Sequence, residues 1–531
     1  MRYLPFLFLL TFLSTSLSAQ ISSHNISTSY KFKEVIDKVS RYYVDETDAE
    51  ALTETAIVSL LEELDPHSTY IPADELNAAQ SSINGSFVGV GIRFQIMKDT
   101  LNVVATISGG PAEKLGMLPG DKIVVVDGEN IAGVGLKNSD VRTKLLGEMG
   151  TKVKVEVQRR KSNKNLVFNV TRDKIPVFSV DSYYMIDKEI GYIKLNSFSR
   201  RSHEEVRNAL VKLKAKGMKS LIFDLQSNGG GLLGTAHKLA DEFLSKEKLI
   251  VYSEGKAQPR NNLRAEFKGL FEEGRLVVLT NEYSASASEI LSGAIQDWDR
   301  GLIVGRRTFG KGLVQRPMGL SDGSEIRLTI ARYYTPSGRF IQKPYDDVES
   351  YRKDISQRYL NGEFVHSDSI KMPDSLKFKT LITNRTVFGG GGIMPDFFVP
   401  LDTSYNSDYY SDLLRGGFLN TFSYSYSDEN RKKLLGQYPD FKTFKDEFKC
   451  DALFMNDFFT YVKKEDATLE KNEEEYAISE HSIKLRLKAY LARNLWDTSE
   501  FYEIYNTSNE IINRAVEILQ TNEYEKVNLD R

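Results

Sequence analysis

Short apolar strands alternate with amphipathic helices along the middle of the chain, and this alternation restricts the fold more than any other feature. Strands that are apolar throughout lie in sheets covered on both faces, and the intervening helices supply the cover. The middle of the chain therefore predicts an α/β core. The apolar runs are IGYIKLN, SLIFDLQ, RLVVLTN and GLIVGRRT, and the helical stretches lie at about 204–216, 232–244 and 286–298.

The regions on either side of this core have different patterns. Short β-rich runs with many glycines and one helical stretch predict a separate compact domain before the core. A charged, weakly patterned stretch interrupts the core near its end, and the rest of the chain reads as charged helices. The predicted order is a helical segment at 29–79, a β-rich domain at 85–173, the core at 179–403 with an insertion at 345–377, and a helical extension at 404–531.

The first residues have the pattern of an export signal. Arg2 precedes an apolar run at 6–13, and small residues follow at 14–19. This run is too short to span a bilayer, so residues 1–19 predict a cleaved signal peptide and a periplasmic or extracellular protein. The alternative is an uncleaved segment that keeps the protein associated with a membrane.

The composition excludes several partners and cofactors. A formal net charge of −3 provides no basic surplus for a phosphate backbone, so nucleic acid is not expected as a partner. Cys450 is the only cysteine, which excludes an intrachain disulfide and a zinc site built mainly on cysteines. None of the six histidines has an H-E-x-x-H or paired metal spacing, and we expect no metal and no cofactor.

A cluster of small hydroxyl residues, SASAS, lies between the strand RLVVLT and a helix. Ser286 at its centre would stand near the helix N-terminus, where backbone N–H groups can stabilise an oxyanion. Ser286 and Glu289 also fit the S-x-x-E capping box, and capping is the usual role of a serine at this position. This segment alone therefore favours a cap.

Lys311 lies between two glycines, Gly310 and Gly312, after the strand GLIVG. A lysine that acts as a base must be neutral, and because its ordinary pKa is about 10.4, its site must be desolvated. Flanking glycines would let the backbone bring the amine close to a serine. A lysine between glycines is otherwise an ordinary solvated turn residue.

Three consecutive glycines, 229–231, follow the strand SLIFDLQ and precede a helix. Glycines in this setting permit a backbone conformation that directs N–H groups inward. A phosphate-binding loop is the alternative, but the segment lacks the G-x-x-x-x-G-K-[ST] spacing.

Together, SASASEI, FGKGLVQ and DLQSNGGG resemble the motifs of the C-terminal processing peptidases, also called tail-specific proteases. The resemblance, which includes the spacing between the motifs, implies a catalytic dyad of Ser286 and Lys311. It also implies that Gln315 orients the amine and that the amides of Ala287 and of Gly229 or Gly230 form an oxyanion hole. Gln226 stands where the family commonly has arginine. The implied fold is a crotonase/ClpP-like α/β protease core with an inserted PDZ domain.

The PDZ part of the resemblance rests on FVGVGI and on GGPAEKLGMLPGDKIVVVDG. In PDZ domains an extended peptide adds to a sheet edge, and backbone N–H groups bind its terminal carboxylate. Residues 88–91 would form the carboxylate loop, next to an apolar side-chain pocket. The alternative is that these glycines only form a hairpin turn. The predicted peptide-binding residues are Phe87, Val88, Gly89, Val90, Gly91 and Ile92.

The sequence therefore predicts an exported serine endopeptidase whose substrates are proteins or peptides with free C-terminal tails. An adaptor lipoprotein and a second copy of the chain stay open as further partners. Two other functions compete with this one: a PDZ-bearing adaptor with an inactive core, and an acyl-CoA enzyme on a crotonase-type fold. On residue counts alone, a Ser-His-Asp triad using His67 or His237 also stays open.

Overall fold

The computed structural model describes residues 23–160, 162, 164–527 and 529. The predicted signal peptide, residues 1–19, lies outside the described residues. The chain divides into two compact units, with the boundary between Tyr70 and Ile71. Among the residues described, no helix is both long enough and apolar enough to cross a membrane.

The described part of the first unit, from residue 23 onward, contains two helices, α1 (Ser23–Tyr42) and α2 (Ala49–Glu62). Helix α2 begins after Asp48, whose carboxylate accepts hydrogen bonds from the N–H groups of Glu50 and Ala51, both at 3.0 Å. This is the side-chain cap that an aspartate provides for the unpaired amides of a first turn. Strand β1 (Thr69–Ile71) lies at the unit boundary, and helix α3 (Leu76–Asn84) belongs to the second unit.

The β-rich region forms a sheet in the order β3-β4-β5-β7-β8, with β6 beside β5, while β2 pairs separately with β9. The run FVGVGIRF is thus two strands rather than one, because the chain breaks at Val90 and at Gly91, whose φ is 80°. Its elements are β2 (Ser86–Gly89), β3 (Ile92–Met97), β4 (Thr100–Thr106), α4 (Pro111–Lys114), β5 (Lys122–Val126), β6 (Glu129–Asn130), α5 (Asn138–Leu145), β7 (Lys152–Gln158), β8 (Leu166–Thr171) and β9 (Asp173–Pro176).

Strand β7 shows why the sequence of this region predicts β-structure. Val153, Val155 and Val157 are fully buried, while Lys152 and Lys154 are exposed. Side chains along a strand point alternately to opposite faces, so this pattern places one face on an apolar core. That core consists of residues from this region alone, among those that the structure describes.

The α/β core is built on a sheet in the order β10-β11-β12-β15-β16-β21, parallel except for β10. Consecutive residues of β12 show that both faces are covered: Phe223 joins the apolar cluster with helices α6, α7 and α8, and Ile222 joins the cluster on the other face. The elements are β10 (Val180–Met185), β11 (Ile190–Leu195), α6 (Ser202–Ala215), β12 (Ser220–Asp224), α7 (Leu233–Asp241), β15 (Arg275–Thr280), α8 (Ala287–Asp297), β16 (Leu302–Gly305) and β21 (Phe397–Phe398).

A second, antiparallel sheet was not anticipated from the sequence. Strand β18 pairs with β13 and with β17, and β14 pairs with β13. The charged stretch 345–377 contains a helix, α9. These elements are β13 (Leu249–Gly255), β14 (Gln258–Arg264), β17 (Leu313–Gly319), β18 (Glu325–Tyr334), α9 (Val348–Leu360), β19 (Lys377–Lys379) and β20 (Thr386–Phe388).

Residues 408–526, here called the C-terminal helical domain, contain helices. Helices α10 to α15 enclose an apolar cluster that includes Phe422, Phe458 and Leu487, all fully or almost fully buried. Helix α16 instead packs on the core sheet, on the face opposite helices α6, α7 and α8. The helices are α10 (Asp408–Arg415), α11 (Phe418–Gln437), α12 (Phe441–Glu447), α13 (Ala452–Glu465), α14 (Glu473–Leu495), α15 (Thr498–Tyr505), α16 (Glu510–Gln520) and α17 (Glu523–Lys526).

Candidate active site

Ser286 lies at the sharp turn between β15 and α8, immediately before the helix. Its φ of 57° and ψ of −111° are outside the regions that a residue with a side chain normally adopts. Such a conformation costs about 1–3 kcal/mol and persists only where the surroundings impose it. Strained residues of this kind concentrate at active sites, so the conformation marks Ser286 within its segment.

The neighbouring serines have structural roles. Ser284 donates its hydroxyl hydrogen bond to the carbonyl oxygen of Leu225 at 2.8 Å, and Ser288 donates to that of Asn228 at 2.8 Å. Both serines are fully buried, whereas Ser286 is only half-buried. Of the three serines in SASAS, Ser286 is therefore the one that a substrate can reach.

The buried carboxylate of Glu289 joins the nucleophile turn to the lysine loop. One of its oxygens accepts hydrogen bonds from the backbone N–H of Ser286 at 2.7 Å and of Lys311 at 2.9 Å. The other oxygen accepts from the Thr308 hydroxyl at 2.6 Å and from the Gly310 N–H at 2.7 Å. The Ser286 contact belongs to the capping box that the sequence predicts, but the other three come from a distant loop.

Burial raises the pKa of Glu289, and the hydrogen bonds from Thr308, Lys311, Gly310 and Ser286 oppose this effect. All four partners donate, which is the arrangement that suits an ionised carboxylate because such a group only accepts. The site therefore fixes two chain segments around one acceptor group.

Tyr333 makes a second link between the same two segments. Its hydroxyl contacts the carbonyl oxygen of Ser286 at 3.2 Å and also that of Lys311. Burial and the nearby charge of Glu289 raise the pKa of Tyr333 well above its ordinary value, so the hydroxyl stays protonated and can donate. Glu289 thus holds the backbone N–H groups of Ser286 and Lys311, and Tyr333 contacts the carbonyl oxygens of the same two residues.

The glycines around Lys311 permit close packing of its loop. A Cβ atom on Gly310 would lie 3.1 Å from the backbone nitrogen of Gly392, and one on Gly312 would lie 2.9 Å from that of Gln342. Lys311 itself is half-buried. Gln315 follows on β17, and its Nε2 donates to the hydroxyl of Thr329 at 3.2 Å.

The glycine loop approaches the nucleophile at Gly230. A Cβ atom there would lie 2.8 Å from the Cβ of Ser286 and 2.9 Å from the nitrogen of Ala287, whereas a Cβ on Gly229 would meet no atom within 4 Å. The Gly230 N–H donates to Oδ1 of Asn228 at 2.9 Å. Of the two candidate glycines, Gly230 is the one beside Ser286, and its amide already has an acceptor within the loop.

Asn228 connects this loop to its surroundings. Its Nδ2 donates to the carbonyl oxygen of Leu195 at 2.9 Å. The backbone carbonyl oxygen of Asn228 accepts from the N–H of Ala285 at 3.0 Å and from the Ser288 hydroxyl. The side chain is completely buried. Asn228 therefore fixes the glycine loop against the turn that carries Ser286.

A buried ion pair anchors the far end of α8. Arg339 lies 2.5 Å from the carboxylate of Asp297, and neither side chain is exposed. The other carboxylate oxygen of Asp297 accepts from the N–H of Ser337 at 2.8 Å. Helix α8 is thus fixed at its first turn by Glu289 and at its last by Asp297.

The predicted peptide-binding residues divide between two places. Phe87 and Val88 lie on β2, opposite Ile175 and Lys174 of β9. Val90 and Ile92 are buried members of the apolar cluster of this region, on either side of Gly91.

Gly89 stands close to the end of helix α5, where an added Cβ would lie 3.0 Å from Leu146. Strand β3, which follows the loop, is at the end of its sheet and pairs only with β4 among the described strands. A free strand edge is the geometry to which extended peptides add.

Sequence reasoning did not assign catalytic-site roles to Glu289, Tyr333, Asn228 or Asp297. Glu289 carried a signal as the last residue of S-x-x-E, and Asn228 belongs to the segment DLQSNGGG. Tyr333 and Asp297 act through contacts with residues far away in the chain, so no local pattern identifies them.

Comparison with known proteins decides the family. The family model described as "Peptidase family S41" matches residues 189–350, a range that includes Ser286, Lys311 and Gln315. A carboxy-terminal-processing protease of Bartonella bacilliformis is 35% identical to this chain over an alignment of 342 residues that covers 62% of this chain and 78% of that protein. The chain belongs to peptidase family S41.

Other relatives of this S41 peptidase agree. The carboxy-terminal processing protease CtpA of Bacillus subtilis is 33% identical over 331 residues, covering 62% of this chain and 70% of that protein. The carboxy-terminal processing proteases of the family are serine peptidases, and this chain is a serine-type endopeptidase. Among solved structures, the photosystem II D1 C-terminal processing protease is 31% identical and covers 60% of this chain and 92% of its own, with a TM-score of 0.34.

Two further descriptions match other parts of this S41 peptidase. "PDZ domain" matches residues 103–159, and a family of unknown function, DUF8443, matches residues 409–497. The crystal structure of a PDZ domain of a carboxy-terminal protease from Vibrio cholerae in complex with peptide is 32% identical, covering 17% of this chain and 97% of its own, with a TM-score of 0.16. The family match to residues 103–159 shows that the chain contains a PDZ domain, and the proposed loop 88–91 precedes the matched range.

Proposed function

We propose that this S41 peptidase is an exported endopeptidase with a Ser286–Lys311 catalytic dyad, and that its PDZ domain selects proteins by their C-terminal tails. The observation that supports the dyad most directly is the Glu289 carboxylate, one oxygen of which accepts from the backbone N–H groups of both residues. A shared acceptor fixes their relative position, which catalysis by a serine and a lysine requires.

The proposed reaction follows from the chemistry of the two side chains. Neutral Lys311 takes the proton from the Ser286 hydroxyl as its oxygen attacks the scissile carbonyl carbon. The tetrahedral intermediate expels the amine, which receives a proton from Lys311, and leaves an acyl-enzyme on Ser286. Water, deprotonated by Lys311, then attacks the ester carbonyl carbon; the bond to the Ser286 oxygen breaks, that oxygen takes the proton back from Lys311, and the acid product is released.

The amides of Ala287 and Gly230 are the proposed oxyanion donors. Ala287 is the first residue of α8, so its N–H belongs to the unpaired first turn of the helix. The Gly230 amide would exchange its Asn228 acceptor for the substrate oxygen. Gln315 is proposed to orient the Lys311 amine, because its Nε2 end is directed to Thr329 and its carbonyl end can accept.

The fold and location complete the proposal. We assign the core to the crotonase/ClpP-like α/β type on the basis of its mostly parallel sheet with helices on both faces. The proposed domain limits remain 85–173, 179–403 and 404–531. Export to the periplasm or cell exterior rests on the signal pattern of residues 1–19.

Serine replacement tests the dyad. Ser286→Ala is expected to remove all cleavage of an unfolded protein substrate, while Ser284→Ala and Ser288→Ala keep measurable activity because their hydroxyls donate to backbone carbonyls. A fluorophosphonate probe should label every variant except Ser286→Ala, with the labelled peptide identified by mass spectrometry. Loss of labelling in Ser284→Ala alone, with Ser286→Ala still labelled, would refute the assignment.

Tail recognition is tested with one substrate peptide in its free-acid and C-terminal amide forms. Backbone donors that meet a carboxylate contribute about 1.5–3 kcal/mol, so the amide should be cleaved about ten- to a hundredfold more slowly at low concentration. Equal rates below saturation would show that the PDZ domain does not read the terminal carboxylate.

A further inference from the structure

The C-terminal helical domain contacts both the PDZ domain and the protease core through helix α15. On the PDZ side, Arg93 of β3 donates to the hydroxyl of Thr498 at 2.8 Å and lies 3.3 Å from the carboxylate of Asp497, which precedes the helix. On the core side, the hydroxyls of Ser499 and Ser182 of β10 lie 3.1 Å apart. One short helix therefore links the two domains.

Helix α11 makes a second set of contacts with the PDZ domain. The hydroxyl of Tyr424, which is almost fully buried, donates to the carbonyl oxygen of Val103 on β4 at 3.0 Å. Nearby, Asn420 donates to the side chain of Gln95 on β3 at 3.3 Å. We call the surface formed by Asn420, Tyr424, Asp428, Glu429, Asp497 and Thr498 the PDZ-docking face.

The charges on the two sides of this contact are opposite. The acidic residues Asp428 and Glu429 of α11 lie 3.6 and 3.7 Å from the guanidinium of Arg160, and Asp497 faces Arg93. Most of these side chains are partly or largely exposed to solvent. Ion pairs of this kind contribute about 0–1 kcal/mol each and weaken as salt is added.

The contact of the same domain with the core is different in kind. Helix α16 buries five apolar side chains in one cluster with the core strands: Ile511, Ile512, Ala515, Ile518 and Leu519. Burying one isoleucine contributes about 1.5–3 kcal/mol, more than an exposed ion pair. Among the residues that the structure describes, the apolar clusters of the PDZ domain and of helices α10 to α15 share no member. The core contact through α16 is therefore mainly apolar, and the PDZ contact, which includes exposed ion pairs, is the weaker one.

Two of the docking contacts are made by β3, the strand to which the C-terminal tail of a substrate would add. Arg93 and Gln95 are two residues apart on β3, so both side chains lie on one face of the sheet. The free edge of the same strand is where a C-terminal tail would add. A change in how β3 contacts the PDZ-docking face therefore changes the position of the strand that presents the tail.

We propose that the C-terminal helical domain is a reversible docking site for the PDZ domain of its own chain. It remains attached to the protease core through α16, and its PDZ-docking face binds β3, β4 and Arg160 after β7 by polar contacts that open and close. Docking positions the PDZ domain relative to Ser286. The docking itself is independent of the proposed function, and only its effect on tail-bearing substrates rests on it.

Charge reversal on the PDZ side tests the docking in the full-length protein. The variant Arg93→Glu/Arg160→Glu places acidic side chains opposite Asp497, Asp428 and Glu429. The matched control, Lys432→Glu/Lys433→Glu, makes the same change in net charge at exposed positions of α11 that lie outside the described docking contacts. Small-angle X-ray scattering gives the radius of gyration, and hydrogen–deuterium exchange reports on residues 92–106.

We expect a larger radius of gyration for the charge-reversed variant and an increase of about tenfold or more in exchange of β3 and β4, with no change in the control. Wild type should shift toward the same state when salt is raised from about 0.1 M to about 1 M, because the screening length falls from about 10 Å to about 3 Å. Adding Asp497→Arg and Asp428→Arg to the reversed variant should restore compactness.

Identical scattering and exchange in wild type, variant and control, at both salt concentrations, would overturn the proposal. If the reversed variant fails to fold, the salt titration of wild type and the single change Tyr424→Phe decide the question by the same two measurements. Casein cleavage that depends on Ser286 separates the two proposals: its absence refutes the dyad, and its presence with unchanged scattering refutes the docking.

Discussion

Replacement of Glu289 by glutamine measures how much the shared carboxylate contributes to the active site. Glutamine has nearly the same shape but replaces one acceptor oxygen with an NH2 group that can only donate. One carboxylate oxygen receives the N–H groups of Ser286 and Lys311, and the other receives the Thr308 hydroxyl and the Gly310 N–H. The cost therefore depends on which pair the NH2 group faces.

The structure favours the orientation in which the NH2 group faces Thr308. A hydroxyl can turn and accept a hydrogen bond, whereas two backbone N–H groups cannot. One buried donor, the Gly310 N–H, is then left without an acceptor, which costs about 1–3 kcal/mol. We expect Glu289→Gln to lower the free energy of unfolding by about this amount and to lower kcat, because the loop before Lys311 loses a contact.

Glu289→Ala removes the acceptors of all four donors and should be more destabilising than Glu289→Gln. Urea unfolding gives the stability change, and hydrolysis of a peptide substrate gives kcat and KM. Glu204→Gln, an exposed residue in the first turn of α6, is the control for the loss of one charge. If Glu289→Gln matched wild type in both stability and kcat, the reasoning about the shared carboxylate would be refuted.

Three further changes address other parts of the site. Lys311→Arg should be as inactive as Lys311→Ala in peptide hydrolysis, because guanidinium stays protonated and cannot act as a base; appreciable turnover would mean that only the positive charge matters. Gly230→Ala should abolish turnover, since its Cβ would lie 2.7 Å from the carbonyl oxygen of Ala285 at a φ of 101°, and wild-type kcat would show that the loop can move away. Arg339→Met should lower the free energy of unfolding by about 3–5 kcal/mol in urea, because Asp297 would remain buried without its partner; a loss below about 1 kcal/mol would contradict this.

The sequence predicts the parallel sheet well because burial on both faces makes its strands apolar at consecutive positions. The strand SLIFD has the three consecutive apolar residues Leu221, Ile222 and Phe223, and successive ones belong to different apolar clusters. The second sheet does not show this pattern of consecutive apolar residues. Strand β14 reads QPRNNLR and is largely exposed, so its pairing with β13, rather than any apolar pattern, makes it a strand.

The catalytic site shows a different limit of sequence reasoning, because one residue can satisfy a local rule and a distant one at once. Glu289 fits a capping box, and its contact with Ser286 fulfils that local pattern. The local explanation is complete on its own, so nothing in SASASE indicates that the same carboxylate also receives the amides of Gly310 and Lys311. A cap at the surface needs only one acceptor oxygen and can remain solvated, whereas Glu289 is completely buried with both oxygens in use. Burial of the capping-box carboxylate is thus the observation that separates a structural helix start from one built around a nucleophile, and it can be obtained only from the folded chain.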